Sequence, residues 1–443
     1  MIPGKQSHQP PDQDYLRKTR SVCPVCFKQV QAELTRGRGG VYMKKNCDMH
    51  GDFETIIWRE KIDMESWRGD LPELSAGENT KCPRGCDSCS EHIQGICCVL
   101  LEVTGKCNLS CKYCFADELM YEPTIDELKR AIEIIMSADD KPLLQFSGGE
   151  PSIRDDLPEL ISYAREIGCE YTQLNSNGLR LSEDEEYVKA LAQAGLSFVF
   201  MQFDGIRDSV YEILRGEPLF GKKLRAIEMC DKFNIGVTLV PTIVRGVNDG
   251  QIGDIIRLGA SLSPAVRGIH FQPVTYLGRY PNKPENDDRF TLDELLLSVC
   301  EQVDIDIASF RSSRCDHPLC GFHGSFISER GGLRPLLSGQ NRENSGITTA
   351  RDNRKYVGGR WQRDPEAERC CCGQDKSTKS LDDFLSTVKK HGFTITAMAF
   401  QDAMNLDIER IRRCSLRVYD KGVLRPFCAK YLTPDSESIC SAY

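Results

Sequence analysis

The chain has 443 residues, 40% of them apolar, and a formal net charge of −8. That charge argues against a general nucleic-acid binder, a class that is more often basic. There is no apolar run of about 18 residues and no charged-then-apolar start. The chain therefore reads as soluble and cytoplasmic, with peripheral contact at a membrane surface left open.

The composition is unusual in its 22 cysteines. They cluster at spacings of two and three residues, too tight for a disulfide framework. Thiolate–metal chemistry in a reducing compartment is the expectation.

Residues 1–20 read as a flexible tail. Residues 21–80 hold a metal-binding ribbon. Cys23 and Cys26 in VCPVCFKQV form a knuckle, and Cys47 supplies a third ligand. His50 or a later cysteine supplies the fourth. The unit has the pattern of a zinc ribbon or a rubredoxin-like site, holding one Fe or Zn ion. Residues 81–98 carry Cys82, Cys86 and Cys89 as CxxxCxxC, with Cys97 available as a fourth ligand. This segment reads as an auxiliary iron–sulfur site, with zinc as the competitor. Cys98 is one thiol too many for it.

From 99 to 312 the rhythm changes. The strand candidates are CVLLEVT, PLLQFSGG, YTQLNSNG, LSFVFMQFDG, IGVTLVPTIV and RGIHFQPVTYLG. Helical patterns fall at 125–137, 156–168, 183–194, 219–233 and 250–260, with one more at 291–312. This alternation predicts an α/β fold with a parallel sheet and right-handed crossovers. Six repeats predict a partial (β/α)6 TIM-like barrel, with its active site at the C-terminal ends of the strands. Residues 313–443 form a Cys-rich extension. Its Gly- and Arg-rich stretch, 329–364, reads as a loop. Cys370, Cys371 and Cys372 follow, then a helix near 380–391, then Cys414 and Cys428 on either side of a DKG turn. Cys169, Cys230 and Cys300 read as core residues and Cys440 as a tail thiol.

The stretch CNLSCKYCF places Cys107, Cys111 and Cys114 at CxxxCxxC spacing directly after the first barrel strand. Three thiolates leave a cluster with one open position, which a catalytic metal needs. After the second strand comes FSGGEP. Its two glycines allow close backbone approach, and Glu150 can pair with an amino group.

Together these motifs resemble the radical S-adenosylmethionine (SAM) superfamily. The resemblance implies that Cys107, Cys111 and Cys114 ligate a [4Fe–4S] cluster, with SAM at the fourth position. It implies that Tyr113 packs near the adenine and that Gly148, Gly149 and Glu150 receive the methionyl amino group. Asn177, Gln202 and Asp204, at strand ends, are expected to contact the ribose or carboxylate. The implied chemistry is one-electron, with a 5′-deoxyadenosyl radical taking hydrogen from an unactivated carbon.

The flanking cysteine motifs are similar to those of the tetraether lipid synthase branch. That branch is also described as class D radical SAM methylases, and similar sequences are labelled dihydropterin dimethyltransferases. The resemblance implies one auxiliary cluster on Cys82, Cys86, Cys89 and Cys97, and another on Cys315, Cys320, Cys414 and Cys428. The CCC run departs from the pattern, and any one of Cys370, Cys371 and Cys372 can replace a ligand of the second set.

The first expectation is carbon–carbon coupling of lipid chains. The alternatives are radical C-methylation of a dihydropterin and, third, modification of a peptide. The partners implied are a lipid or small-molecule substrate and an electron donor such as a ferredoxin or flavodoxin, with no nucleic acid. The basic stretches TRGRGG, MKK and 351–363 read as a solvated face, though they can also meet anionic headgroups. A non-catalytic electron carrier needs no SAM pocket, so the GGE motif argues against one.

Overall fold

The computed structural model describes residues 14–72, 74, 82–83, 91–116, 122–138, 141–313, 315–329, 332–336, 349–363 and 381–434. Cys86, Cys89, Cys370, Cys371, Cys372 and Cys440 lie outside the described residues.

The N-terminal unit is an antiparallel four-stranded sheet in sequential order: β1 (Tyr15–Val22), β2 (Gln29–Gly37), β3 (Gly40–Cys47) and β4 (Gly51–Trp58). The expected tail boundary at 20 falls inside β1. The strand is masked in sequence by its charges. Arg17 and Thr19 are spent on Asp407, at 3.0 and 2.6 Å. A short helix, α1 (Met64–Arg68), leads out, capped by Asp63.

The core follows as β5 (Cys98–Thr104), α2 (Ile125–Met136), β6 (Leu143–Gly148), α3 (Leu157–Glu166), β7 (Thr172–Ser176), α4 (Leu179–Glu183), α5 (Glu185–Gln193), β8 (Phe198–Gln202), α6 (Asp208–Arg215), α7 (Phe220–Lys232), β9 (Gly236–Val240), β10 (Thr242–Ile243), α8 (Ile252–Ser261) and β11 (Val266–Pro273). Strands β5, β6, β7, β8, β9 and β11 pair in parallel and in that order. α2 shows why the helices form where they do. Thr124 and Glu127 make a capping box, and Leu128, Ala131, Ile132 and Ile135 form one buried stripe.

The C-terminal part comprises α9 (Leu292–Val303), β12 (Phe310–Ser312), β13 (Gly321–Glu329), β14 (Gly332–Pro335), α10 (Ala350–Trp361), α11 (Leu381–His391), β15 (Gly392–Met398), α12 (Ile408–Arg412), β16 (Leu416–Asp420), β17 (Val423–Pro426) and α13 (Phe427–Lys430). α9 ends at Val303 rather than near 312, because Asp304 turns the chain in a left-handed conformation. The stretch expected as a loop contains α10. Its start is capped by Thr349, and Gly358 lets it press on the Tyr171 ring, where a Cβ would lie 2.6 Å away.

The last strands extend the core sheet at both edges. β15 adds in parallel beside β11, and β16 adds in parallel beside β5. β5 and β15 are then six steps apart, roughly 29 Å in a flat sheet. Yet Leu100 of β5 and Thr396 of β15 line one cavity of about 350 Å³. The sheet is therefore strongly curled, and residues 399–415 run from one edge to the other. The ribbon holds this crossover. Lys45 Nζ donates to the Ala403 carbonyl at 2.7 Å, and Arg17 pairs with Asp407 and Glu409.

Candidate functional site

The loop after β5 presents Cys107, Cys111 and Cys114 at the mouth of the cavity, which all three line. Backbone bonds fix it. Cys114 and Arg279 exchange N–H···O bonds of 3.0 and 2.8 Å, and Lys112 N–H donates to Leu214 O at 3.1 Å. Asn177 Nδ2 donates to Asn108 Oδ1 at 2.6 Å, tying the loop to the end of β7. Burial raises the Cys114 thiol above its ordinary value.

The glycine pair after β6 has a steric cause. Gly149 N–H donates to Thr104 O, and Glu150 N–H to Lys106 O, both at 2.8 Å. A Cβ at Gly149 would lie 2.1 Å from Lys106 O. Gly148 has φ +121°, and a Cβ there would lie 2.2 Å from Thr104 O. The second loop thus lies directly on the cysteine loop, and only glycine allows it. Glu150 is buried and its carboxylate is occupied. It accepts from Ser152 N–H, Ser152 Oγ, Ser176 Oγ and Asn177 N–H at 2.6–3.1 Å. It pins the loop after β6 to the end of β7, and residues 148–150 line the cavity.

Tyr113, Asn177 and Gln202 line the cavity. Asp204 does not: it is fully buried and faces Arg215, which contacts it at 2.7 and 2.9 Å. It also accepts from Thr242 N–H at 3.0 Å and from the Gln202 amide. With four donors on it, it has no reach to a ligand. Arg215 is the residue presented instead. It lines the cavity together with Cys111, whose thiol lies close enough to act on its charge. Beside it, buried Lys223 donates to Asn177 O and Gln202 Oε1, both at 2.6 Å, and burial brings its amine down to about 7. Both residues escape a motif search. Their signal is a cation on a core stripe: Arg215 stands four residues after buried Tyr211, and Lys223 shares its stripe with Ala226, Ile227 and Cys230.

Below this mouth the cavity runs down the inside of the sheet. Inward positions carry Gln145, Gln173, Asn175, His270, Gln272 and Thr396, with Phe200 and Trp361 forming an aromatic wall. At the far end lie Cys97 and Cys98.

The ribbon brings Cys23, Cys26, Cys47 and His50 together, with all four ligand atoms within 4.8 Å of one another. His50 Nδ1 stands 3.5 Å from both Cys23 Sγ and Cys47 Sγ. It takes the fourth place left open in the sequence. Three thiolates and one imidazole are a structural zinc set.

Of the first expected group, Cys86 and Cys89 lie outside the described residues; in the second, Cys414 packs against the apolar cluster that holds Cys428. Cys97 and Cys315 share one small buried cluster, with Cys98 packed against it. The cause is the docking of β16 beside β5, where Cys97 N–H donates to Ser415 O at 3.0 Å. Cys315 Sγ lies 3.0 Å from Ser415 Oγ. Cys320 accepts from Arg410 Nε at 3.3 Å, and Cys428 from Gln401 N–H at 3.3 Å. The Cys414 thiol donates to Leu416 O at 3.2 Å. Cys82 shares an apolar cluster with Cys428. Cys169 and Cys230 are core residues as expected, while Cys300 is only partly buried. Among the described residues, no helix is long and apolar enough to cross a membrane.

Residues 101–259 match the Radical SAM superfamily, and residues 15–59 match the HMPTM N-terminal zinc ribbon domain. The chain is similar to the 7,8-dihydro-6-hydroxymethylpterin dimethyltransferase of Methanocaldococcus jannaschii. The two are 32% identical over 96% of this chain and 92% of the relative. It is also similar to the Fe-coproporphyrin III synthase of Methanosarcina barkeri, at 34% identity over 43% of this chain and 47% of the relative. A crystal structure of Streptococcus suis SuiB bound to S-adenosylmethionine aligns with a TM-score of 0.39 and 12% identity, over 48% of each chain.

Proposed function

The chain belongs to the radical SAM superfamily, and from that premise we propose that it forms a carbon–carbon bond at an unactivated C–H of a dihydropterin, adding a one-carbon unit. The observation that carries this reading is the extent of the similarity to the dihydropterin dimethyltransferase. It runs through the ribbon, the core and the C-terminal extension alike. The similarity to the porphyrin-forming relative covers less than half of the chain.

The donor set suits the cofactors. Cys107, Cys111 and Cys114 would hold a [4Fe–4S] cluster, and the glycine-lined backbone of 148–150 would lie against SAM. When bound, these groups supply a 5′-deoxyadenosyl radical that removes a hydrogen atom from substrate. The chain's own contribution is placement. Arg215 holds a fixed positive charge beside Cys111, neutralised on its far side by Asp204. Asn177 couples the cysteine loop to the Glu150 pin. The curled sheet, read as a partial (β/α)6 barrel widened by β15 and β16, walls the inner cavity. Cys82, Cys97, Cys98, Cys315, Cys320, Cys414 and Cys428, at the foot and C-terminal side, are the described candidates for one or two auxiliary clusters. His50 completes a zinc site in the ribbon.

Lipid-chain coupling, the first expectation from sequence, has less support. A cavity of about 350 Å³ is at the low end for small-molecule sites. Several inward positions are amides rather than aliphatic groups. A peptide substrate has no specific observation behind it.

The test uses anaerobically reconstituted, reduced enzyme with SAM and 7,8-dihydro-6-hydroxymethylpterin deuterated at its ring methylene. Deuterium in 5′-deoxyadenosine, with a pterin product heavier by a methyl group, supports the reading. Unlabelled 5′-deoxyadenosine with unchanged pterin would overturn it.

A further inference from the structure

We infer that Gln173, together with His270 and the Phe200–Trp361 wall, recognises the 2-amino-4-oxopyrimidine edge of a fused heterocycle, making Gln173 a specificity-determining residue. The inference rests on the pterin reading above and deepens it.

Gln173 is fully buried and lines the cavity. Its Nε2 donates to Asn175 Oδ1 at 2.6 Å, while its Oε1 has no hydrogen-bond partner. Buried polar groups are almost always paired, so an unpaired amide on a cavity wall marks a place where a ligand group belongs. Gln145 stands directly beside it in register on β6 and lines the same cavity.

Across the lumen, His270 Nδ1 lies 2.8 Å from Thr396 Oγ1. The Thr396 hydroxyl donates its single proton to Ile269 O at 3.2 Å. With its proton there, the hydroxyl accepts from His270 Nδ1–H, and the imidazole presents Nε2 as an acceptor. Burial takes the imidazole down to about 4, so it stays neutral at ordinary pH. The cavity wall thus carries two acceptors, Gln173 Oε1 on β7 and His270 Nε2 on β11.

The aromatic wall stands between these strands. Phe200 and Trp361 have centroids 4.7 Å apart, and Phe200 and His270 lie 5.3 Å apart at an interplanar angle of 30°. Trp361 is held by its Nε1 donating to Thr394 Oγ1 at 2.9 Å. A flat conjugated ring can lie on such a wall. A ring bearing an exocyclic amine and a ring N–H gives its donors to the two acceptors. An alkyl chain would leave both unsatisfied. Pterins and guanine share this edge, so the chemistry has two natural sources.

The test titrates reconstituted holoenzyme anaerobically with three probes, followed by fluorescence. They are 7,8-dihydro-6-hydroxymethylpterin, its lumazine analogue with oxygen in place of the 2-amino group, and GTP. Wild type should bind the pterin at least about tenfold tighter than the lumazine. Gln173→Leu should weaken pterin about 10- to 100-fold and erase that preference. Gln173→Glu keeps an acceptor and should keep the preference, which a merely structural role would not explain. Iron and sulfide content equal to wild type shows that each variant is folded.

A Leu variant that retains the preference, or a wild type that never had it, overturns the assignment and leaves the pterin reading standing. Binding of GTP alone, dependent on Gln173, overturns the pterin reading and keeps the edge recognition. A wild type that binds none of the three overturns both.

Discussion

Asp204→Asn should destabilise the protein far more than loss of one surface charge would. The Asp204–Arg215 pair has side chains 0% and 7% exposed, with contacts of 2.7 and 2.9 Å. Removing the carboxylate charge leaves a guanidinium buried without its counter-ion, which costs about 3–5 kcal/mol. Most of that cost belongs to the stranded cation. Adding Arg215→Met should therefore recover much of the loss, with an interaction term on the order of 1–3 kcal/mol. Urea unfolding of reconstituted protein, followed by tryptophan fluorescence, measures all four corners of the cycle. A loss under about 1 kcal/mol for Asp204→Asn, or simple additivity in the double variant, would refute the buried-pair account.

Gly149→Ala would place a Cβ 2.1 Å from Lys106 O and force the backbone next to Cys107 to move. Metal analysis should show cluster iron and sulfide lost and ribbon zinc retained. His270 is held at about 4 by burial, against 6.5 in the unfolded chain. The unfolded state therefore takes up a proton first as pH falls, and stability drops from pH 6.5 to 4 by roughly 3 kcal/mol. His270→Gln should flatten that part of the stability profile. Cys47→Ser removes one of four ribbon ligands. Zinc content should fall, and because Lys45 grips Ala403 O at 2.7 Å, amide exchange should quicken across 399–413. Exchange in β6–β8 should stay as it is.

The parallel core was legible because its strands and amphipathic helices keep their periods from β5 to β11. So were the CxxxCxxC loop and the glycine pair, whose chemistry depends on spacing within one loop. What sequence could not give was partnership between distant segments. Cys97 meets Cys315 only because β16 pairs with β5, and nothing local to either cysteine says so. Asp204 looked like a ligand residue because it ends a strand, but its partner lies on α6, a helix of eight residues that went unrecognised. α10 was hidden by its glycines and charges, although one of those glycines is what seats it on Tyr171. β1 was hidden by charges whose partners lie nearly 400 residues away.

The central claim is that three thiols on one loop carry the reaction. The most direct measurement compares 5′-deoxyadenosine formation from SAM by reduced wild type and by Cys111→Ala, with zinc measured in both. The account predicts turnover by wild type, none by the variant, and equal zinc in the ribbon. Undiminished SAM cleavage by the variant would contradict it.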